Sequence, residues 1–137
     1  SLAQGIHRGV APFLIQDVTP REERIPQTLD HKNGTTGIGT VTVAVGELTA
    51  VQQWYDAVLG CRGKTAANET LKANGVSYQI GAHKLEFLMP LDPQSPLVNW
   101  LRTFGPSPYA ATLRRPFPGI TALDGKLTHG ANLIFAP

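Results

Sequence analysis

The stretch GAHKLEFLMP, residues 81–90, places a histidine and a carboxylate, His83 and Glu86, in one short apolar run that ends at Pro90. Two such side chains held together could ligate a metal ion, or the carboxylate alone could move protons. The run alternates like a strand, and residues three apart on a strand project from opposite faces. Glu86 then shares a side with Lys84 and Leu88, while His83 shares one with Leu85, Phe87 and Met89. As a pair they cannot grip one ion without a bulge between them. Glu86 is left either facing a cavity as general base or acid, or as a structural carboxylate paired with Lys84, Arg114 or Arg115.

Other reactive types are sparse. Cys61 is the one cysteine, which excludes an internal disulfide and any CxxC metal site. It reads as a small, partly buried apolar residue. His129, in LTHGAN, stands at a loop–strand junction, His31 sits beside the Asn33-Gly34 turn, and His7 lies close to the start of the chain. Nothing surrounds a serine or Cys61 in the way a nucleophile requires, and GIG at 37–39 precedes a strand, so it is no phosphate-cradling loop.

These residues must be held by regular elements. The spacing predicts a strand over 9–18 and a polar loop over 19–37, then a strand over 38–45. In that strand Val41, Val43 and Val45 face one way and Thr40, Thr42 and Ala44 the other. ELTAVQQWYDAVLG, 47–60, is the clearest helix. Its face is Leu48, Val51, Tyr55, Val58 and Leu59, with Glu47 near its positive end and Gly60 as its stop. Trp54 and Tyr55 are expected at the core or its edge. Strands follow at 61–67, 75–81 and 83–90, with turns at Asn74-Gly75 and Gly81-Ala82. Ser95-Pro96 opens a second helix to Gly105, with Leu97, Trp100, Leu101 and Phe104 on one face. Strands over 107–116 and 131–137 complete the order, and the first of these turns Ala110, Thr112 and Arg114 to the side opposite Tyr109, Ala111 and Leu113.

The whole is α+β. IGTVTVAVGELTAVQQWYDAVLG followed by GVSYQIGAHKLEFLMP resembles the βαβββ module of the vicinal oxygen chelate superfamily. HKNG, LEFLMP, PYAATLR and LTHGANLIF are similar to the glyoxalase-like domain proteins within it. The resemblance covers about residues 31–137. It implies a mixed, curved sheet lining a cavity, completed by a second module in the same chain or across a dimer. On that reading residues 1–30 are the strand and linker ending a preceding module, and 31–137 are the glyoxalase-like domain. The abrupt start, without an initiator methionine, fits a fragment of a longer protein.

The resemblance also implies four metal-ligand positions. Glu86, four residues before Pro90, holds one. The others fall on Thr40, Ala110 and near Leu133, none of which suits a divalent metal wanting three or four N, O or S ligands. No metal or other cofactor is therefore expected, unless further ligands come from a partner module. The implied function is binding of a small organic molecule, with Glu86 as the catalytic candidate and Thr40, Thr42, Leu88, Thr112 and Arg114 as ligand-binding candidates. Arg114 could take a carboxylate or phosphate through its fork of donors. The alternative is a metal-dependent lyase, isomerase or dioxygenase completed by residues outside this chain.

Bulk composition sets the remaining bounds. At 137 residues, 42% hydrophobic and 16% charged, with 14 glycines and 11 prolines, the chain can bury one core and makes many turns. A scattered net charge of +2 argues against nucleic acid, since Glu22 and Glu23 sit between Arg21 and Arg24 and no basic run forms. No apolar run approaches the ~18 residues of a membrane span. The expected partners are a small-molecule ligand and either a second copy or a missing N-terminal module, in a reducing, cytoplasmic setting.

Overall fold

The computed structural model describes residues 9–12, 16–25 and 30–137. Its strands are β1 (Gly37–Ala44), β2 (Lys64–Asn68), β3 (Ala73–Ile80), β4 (His83–Pro90), β5 (Ser107–Arg114), β6 (Thr121–Ala122) and β7 (Asn132–Ala136), and its helices are α1 (Thr49–Leu59) and α2 (Pro96–Phe104). They form one open seven-stranded mixed sheet in the order β2-β3-β4-β1-β5-β7-β6. β1 and α1 with β2, β3 and β4 make a βαβββ unit in which β1 runs parallel to β4. β5 meets β1 antiparallel and runs parallel to β7, which pairs antiparallel with β6. The second half thus repeats the β1–β4–β3 arrangement about the β1–β5 seam, but no helix stands between β5 and β6.

Alternation along β1 sorts the core into two faces. Val43 and Val45 pack with Val51, Tyr55, Val76, Tyr78 and Phe87 beneath α1, and the Tyr55 and Phe87 rings lie 4.4 Å apart. Ala44 packs on the other side with Ala73, Leu88 and Leu97 of α2. Helix α1 starts where the Glu47 carboxylate accepts the amides of Thr49 (2.6 Å) and Ala50 (2.9 Å), and it stops at Gly60 in the left-handed region. Its hold on the core ends with Tyr55 and Asp56. Tyr78 Oη and the Gly63 amide both donate to Asp56 Oδ1, at 2.7 and 2.9 Å. Val58, 58% exposed, and Leu59 lie beyond that anchor, so the buried stripe is one turn shorter than the periodicity implies. Ser95 caps α2 as expected, accepting from the Leu97 amide and donating to Leu71 O at 2.6 Å, with Pro96 in the first turn. Phe104 keeps to the expected face, its ring 4.4 Å from that of Trp100, but at the end of the helix it is 62% exposed.

Three sequence expectations are corrected. The strand over 9–18 does not form in its described parts, and 13–15 lie outside the described residues. Residues 9–11 turn, with Gly9 at φ +87°, and Val18 is exposed. Val10 is nevertheless buried, and its carbonyl accepts from Tyr55 Oη at 2.6 Å. Asn74-Gly75 is no turn but lies within β3, between β2 and β4. A Cβ on Gly75 would fall 1.7 Å from Phe87 O, so glycine there serves close strand packing. The β2–β3 turn comes earlier, where Asn68 Oδ1 accepts from the Leu71 amide and Lys72 takes φ +47°. Cys61 is exposed because β2 starts only at Lys64.

Candidate functional site

Strand register brings the candidate residues together in rows on one face of the sheet. Glu86 on β4 lies beside Thr42 on β1, Thr42 beside Ala110 on β5, and Ala110 beside Asn132 on β7. In the next row Lys84 lies beside Thr40, and Thr112 beside Ile134. Between these pairs β1 bulges: register shifts between Ile38 and Val41, and Thr112 Oγ1 accepts the Thr40 amide at 2.7 Å. The two rows form the polar floor of a cavity of 580 Å³, walled by Ile120, Leu123 and Leu133 from the β5–β7 side and by Asn68 and Thr70 from the β2–β3 turn.

Glu86 is the ionic centre of that floor. Its side chain is 13% exposed; Thr42 Oγ1 donates to Oε1 at 2.6 Å, and Lys84 Nζ lies 3.3 Å from Oε2. Both oxygens are thus held, and the carboxylate is fixed by a neutral donor and a cation at once. The pairing with Lys84 follows from their two-residue spacing, whereas the bond to Thr42 depends on the parallel β1–β4 register.

His83 does not join Glu86. Its Nδ1 lies 2.7 Å from Ile38 O, and since a carbonyl only accepts, that nitrogen carries the proton. His129 is exposed at φ +54° in the turn before β7, and His31 contributes its carbonyl to the Gly34 amide at 2.8 Å. His7 lies outside the described residues. Among the described residues no three His, Cys, Asp or Glu side chains converge on a point. The row Glu86–Thr42–Ala110–Asn132 offers one carboxylate, and the Asn132 amide nitrogen donates to Tyr109 O at 3.0 Å. That donor set does not fit a resident transition metal.

The ligand-binding candidates divide by position. Thr40, Thr42 and Thr112 line the cavity. Leu88 does not line it and is fully buried against Ala44 and Leu97. Arg114 lies one row beyond Thr112, where its Nη1 donates to Ala82 O at 3.1 Å. Tyr109, expected only to pack, does pack edge-on against Trp100 at 5.2 Å but also lines the cavity, and burial pushes its phenol pKa up. Sequence reasoning passed over Asn132 and the 120–125 wall. The apolar spacing of Ile120 and Leu123 was the available signal, but its segment carries only the two-residue β6.

No protein-family model and no curated protein matches the chain. Among solved structures, methylmalonyl-CoA epimerase from Mycobacterium tuberculosis is 19% identical with a TM-score of 0.64, covering 76% of this chain and 91% of that one. A Streptomyces coelicolor methylmalonyl-CoA epimerase variant, in complex with 2-nitronate-propionyl-CoA, is 22% identical with a TM-score of 0.62, covering 74% and 95%. A hypothetical protein from Bacillus halodurans is 17% identical with a TM-score of 0.62, covering 72% and 91%. The likeness is one of architecture, and with the βαβββ unit and its partial repeat it shows that this chain has the vicinal oxygen chelate fold.

Proposed function

We propose that the cavity binds a small, mainly apolar organic ligand whose polar end meets Glu86, Lys84 and Thr42. The observation that carries this is a cavity of 580 Å³ with an apolar wall of Ile120, Leu123 and Leu133 and one ionic corner. Its size sits within the roughly 300–1,000 Å³ usual for ligand pockets, and a few placed polar groups in an apolar lining are what orient a ligand. The floor residues Thr40, Thr42 and Thr112 supply neutral hydrogen-bonding groups beside the ion pair. The epimerase structures with bound CoA compounds use a related sheet, which supports a ligand-binding role for this one. No metal enters the reading. The open sheet, whose second half has no helix between β5 and β6, supports a companion module, either a second copy or a preceding segment of the same protein.

A catalytic variant of this reading rests on Glu86 alone, as a base at the cavity floor. A metal-dependent version would need its further donors from outside this chain. The test of the binding reading is a titration with the neutral fluorescent probe N-phenyl-1-naphthylamine against wild type and Ala110→Trp, which places an indole over the centre of the floor. Saturable enhancement in wild type, lost in the variant, is expected. Equal enhancement in both would remove the cavity from consideration.

A further inference from the structure

Resting on that reading, we infer that the cavity's ligand is an anion whose carboxylate or phosphate headgroup sits between Arg114 and Lys84, with its apolar body against Ile120 and Leu123. The cavity face carries two cations in adjacent rows and one carboxylate. Lys84 is shared with Glu86 at 3.3 Å. Arg114 has no carboxylate partner among the described residues: Nη1 donates to Ala82 O, and Nε is buried with no partner. An arginine has five N–H donors in a fixed planar fork, so most of its capacity is unspent here. The Arg114 Nη2 hydrogens make no hydrogen bond among the described residues, and an oxyanion is the ligand that suits such a fork of donors.

The side chain's placement is built into the backbone. Gly39 leaves the space that Thr112 and Arg114 occupy; a Cβ there would fall 2.8 Å from Thr112 Oγ1 and 3.2 Å from Arg114 Cγ. A Cβ on Gly37, which is paired with Arg114, would fall 3.7 Å from its Nη2. The guanidinium thus lies across β1 to reach Ala82, two residues before Lys84. Thr40 and Thr112, joined through the Thr40 amide, lie between the two cations and line the cavity. With Glu86 already held by Lys84 and Thr42, the unmatched charge on this face is that of Arg114.

The test compares two dyes sharing one aromatic frame: 8-anilinonaphthalene-1-sulfonate, an anion, and neutral N-phenyl-1-naphthylamine. The anion should bind wild type at least about tenfold more tightly, the scale of one charge-assisted hydrogen bond. That ratio should fall to near one in Arg114→Gln and persist in part in Arg114→Lys, which keeps the charge. Thermal unfolding of each variant shows that the fold is retained. Competition by 1-naphthoate against 1-naphthyl phosphate then separates carboxylate from phosphate as the headgroup. A ratio near one in wild type, or a ratio unchanged in Arg114→Gln, overturns the anion site while leaving the cavity reading in place. Failure of both dyes to bind overturns the cavity reading, and this inference with it.

Discussion

Thr42→Val is the sharpest probe of the site, because it changes one atom's chemistry and almost no volume. Thr42 is buried, its hydroxyl donates to Glu86 Oε1 at 2.6 Å, and the carboxylate it serves is 13% exposed. Valine keeps the β-branched shape that suits a strand, so the loss is that of the donor. A hydrogen bond to a charged group contributes about 1.5–3 kcal/mol, and removing one partner leaves the other short of solvation. The expected cost is therefore about 2 kcal/mol in urea or guanidinium unfolding, or on the order of 5–10 °C in Tm for a domain of this size. The companion measurement is a cycle with Glu86→Leu. Replacing both partners with apolar groups removes the unmet carboxylate, so the double variant should recover to within about 1 kcal/mol of wild type. Lys84 then loses its partner too, but it is 43% exposed and such a pair contributes roughly 0–1 kcal/mol. A Thr42→Val protein within about 0.5 kcal/mol of wild type, or two single costs that simply add, would refute the Thr42–Glu86 bond and the β1–β4 register behind it.

Two pH-dependent outcomes test the packing around α1. Burial pushes the Tyr55 phenol up to about 12, and Tyr78 is raised as well, by burial first and by the Asp56 hydrogen bond. A raised pKa means the folded state holds the proton more tightly, so this stability is whole below the ordinary tyrosine value and declines as pH climbs from about 10 through 12. Denaturant midpoints across that window should fall, and Tyr55→Phe should make the fall shallower while costing about 1 kcal/mol at neutral pH for the lost bond to Val10 O. Asp56 runs the other way: its carboxyl is held below the usual range chiefly by the Tyr78 hydroxyl, with the Gly63 amide next. Its contribution is present above the ordinary carboxylate value and is lost as pH falls through the depressed one. Asp56→Asn should flatten the acid limb of the stability curve; an acid limb as steep as that of wild type would dismiss the clamp.

What the chain discloses by itself follows the range of the interactions involved. Alternation and helical periodicity are local, and they place β4 at 83–90 and put Thr40 and Thr42 on the face opposite Val43 and Val45. Local chemistry also places the Ser95 cap and the Gly81 hairpin turn, where Ile80 pairs with His83 and Gly81 sits at φ +58°. Gly75 misleads because the same residue type serves turns and close strand contact, and only the position of Phe87 O decides between them. Val58 and Phe104 mislead because periodicity marks a face without saying how far its neighbour extends. The Glu86–Thr42 bond joins strands separated by a helix and two other strands, and so depends on a register that no local pattern contains.

The sheet's geometry explains how such a site can vary without harm to the fold. The side chains that hold β1 and β4 to α1, Val43, Val45 and Phe87, alternate with those that form the cavity floor, Thr42 and Glu86. A change on the floor therefore leaves the α1 face of the core untouched, and the converse holds for a change beneath α1. The row Glu86–Thr42–Ala110–Asn132 crosses the β1–β5 seam, so each half of the sheet contributes two of its members. Around the seam the strands repeat but the chemistry does not: one half carries the carboxylate and Lys84, and the other brings Ala110, Thr112 and Arg114. The Arg114 guanidinium nevertheless reaches back across β1 to Ala82, so the charged groups gather at one end of the floor while Ile120 and Leu123 wall the other side. That asymmetry, laid on a nearly symmetric sheet, would orient a ligand with unlike ends.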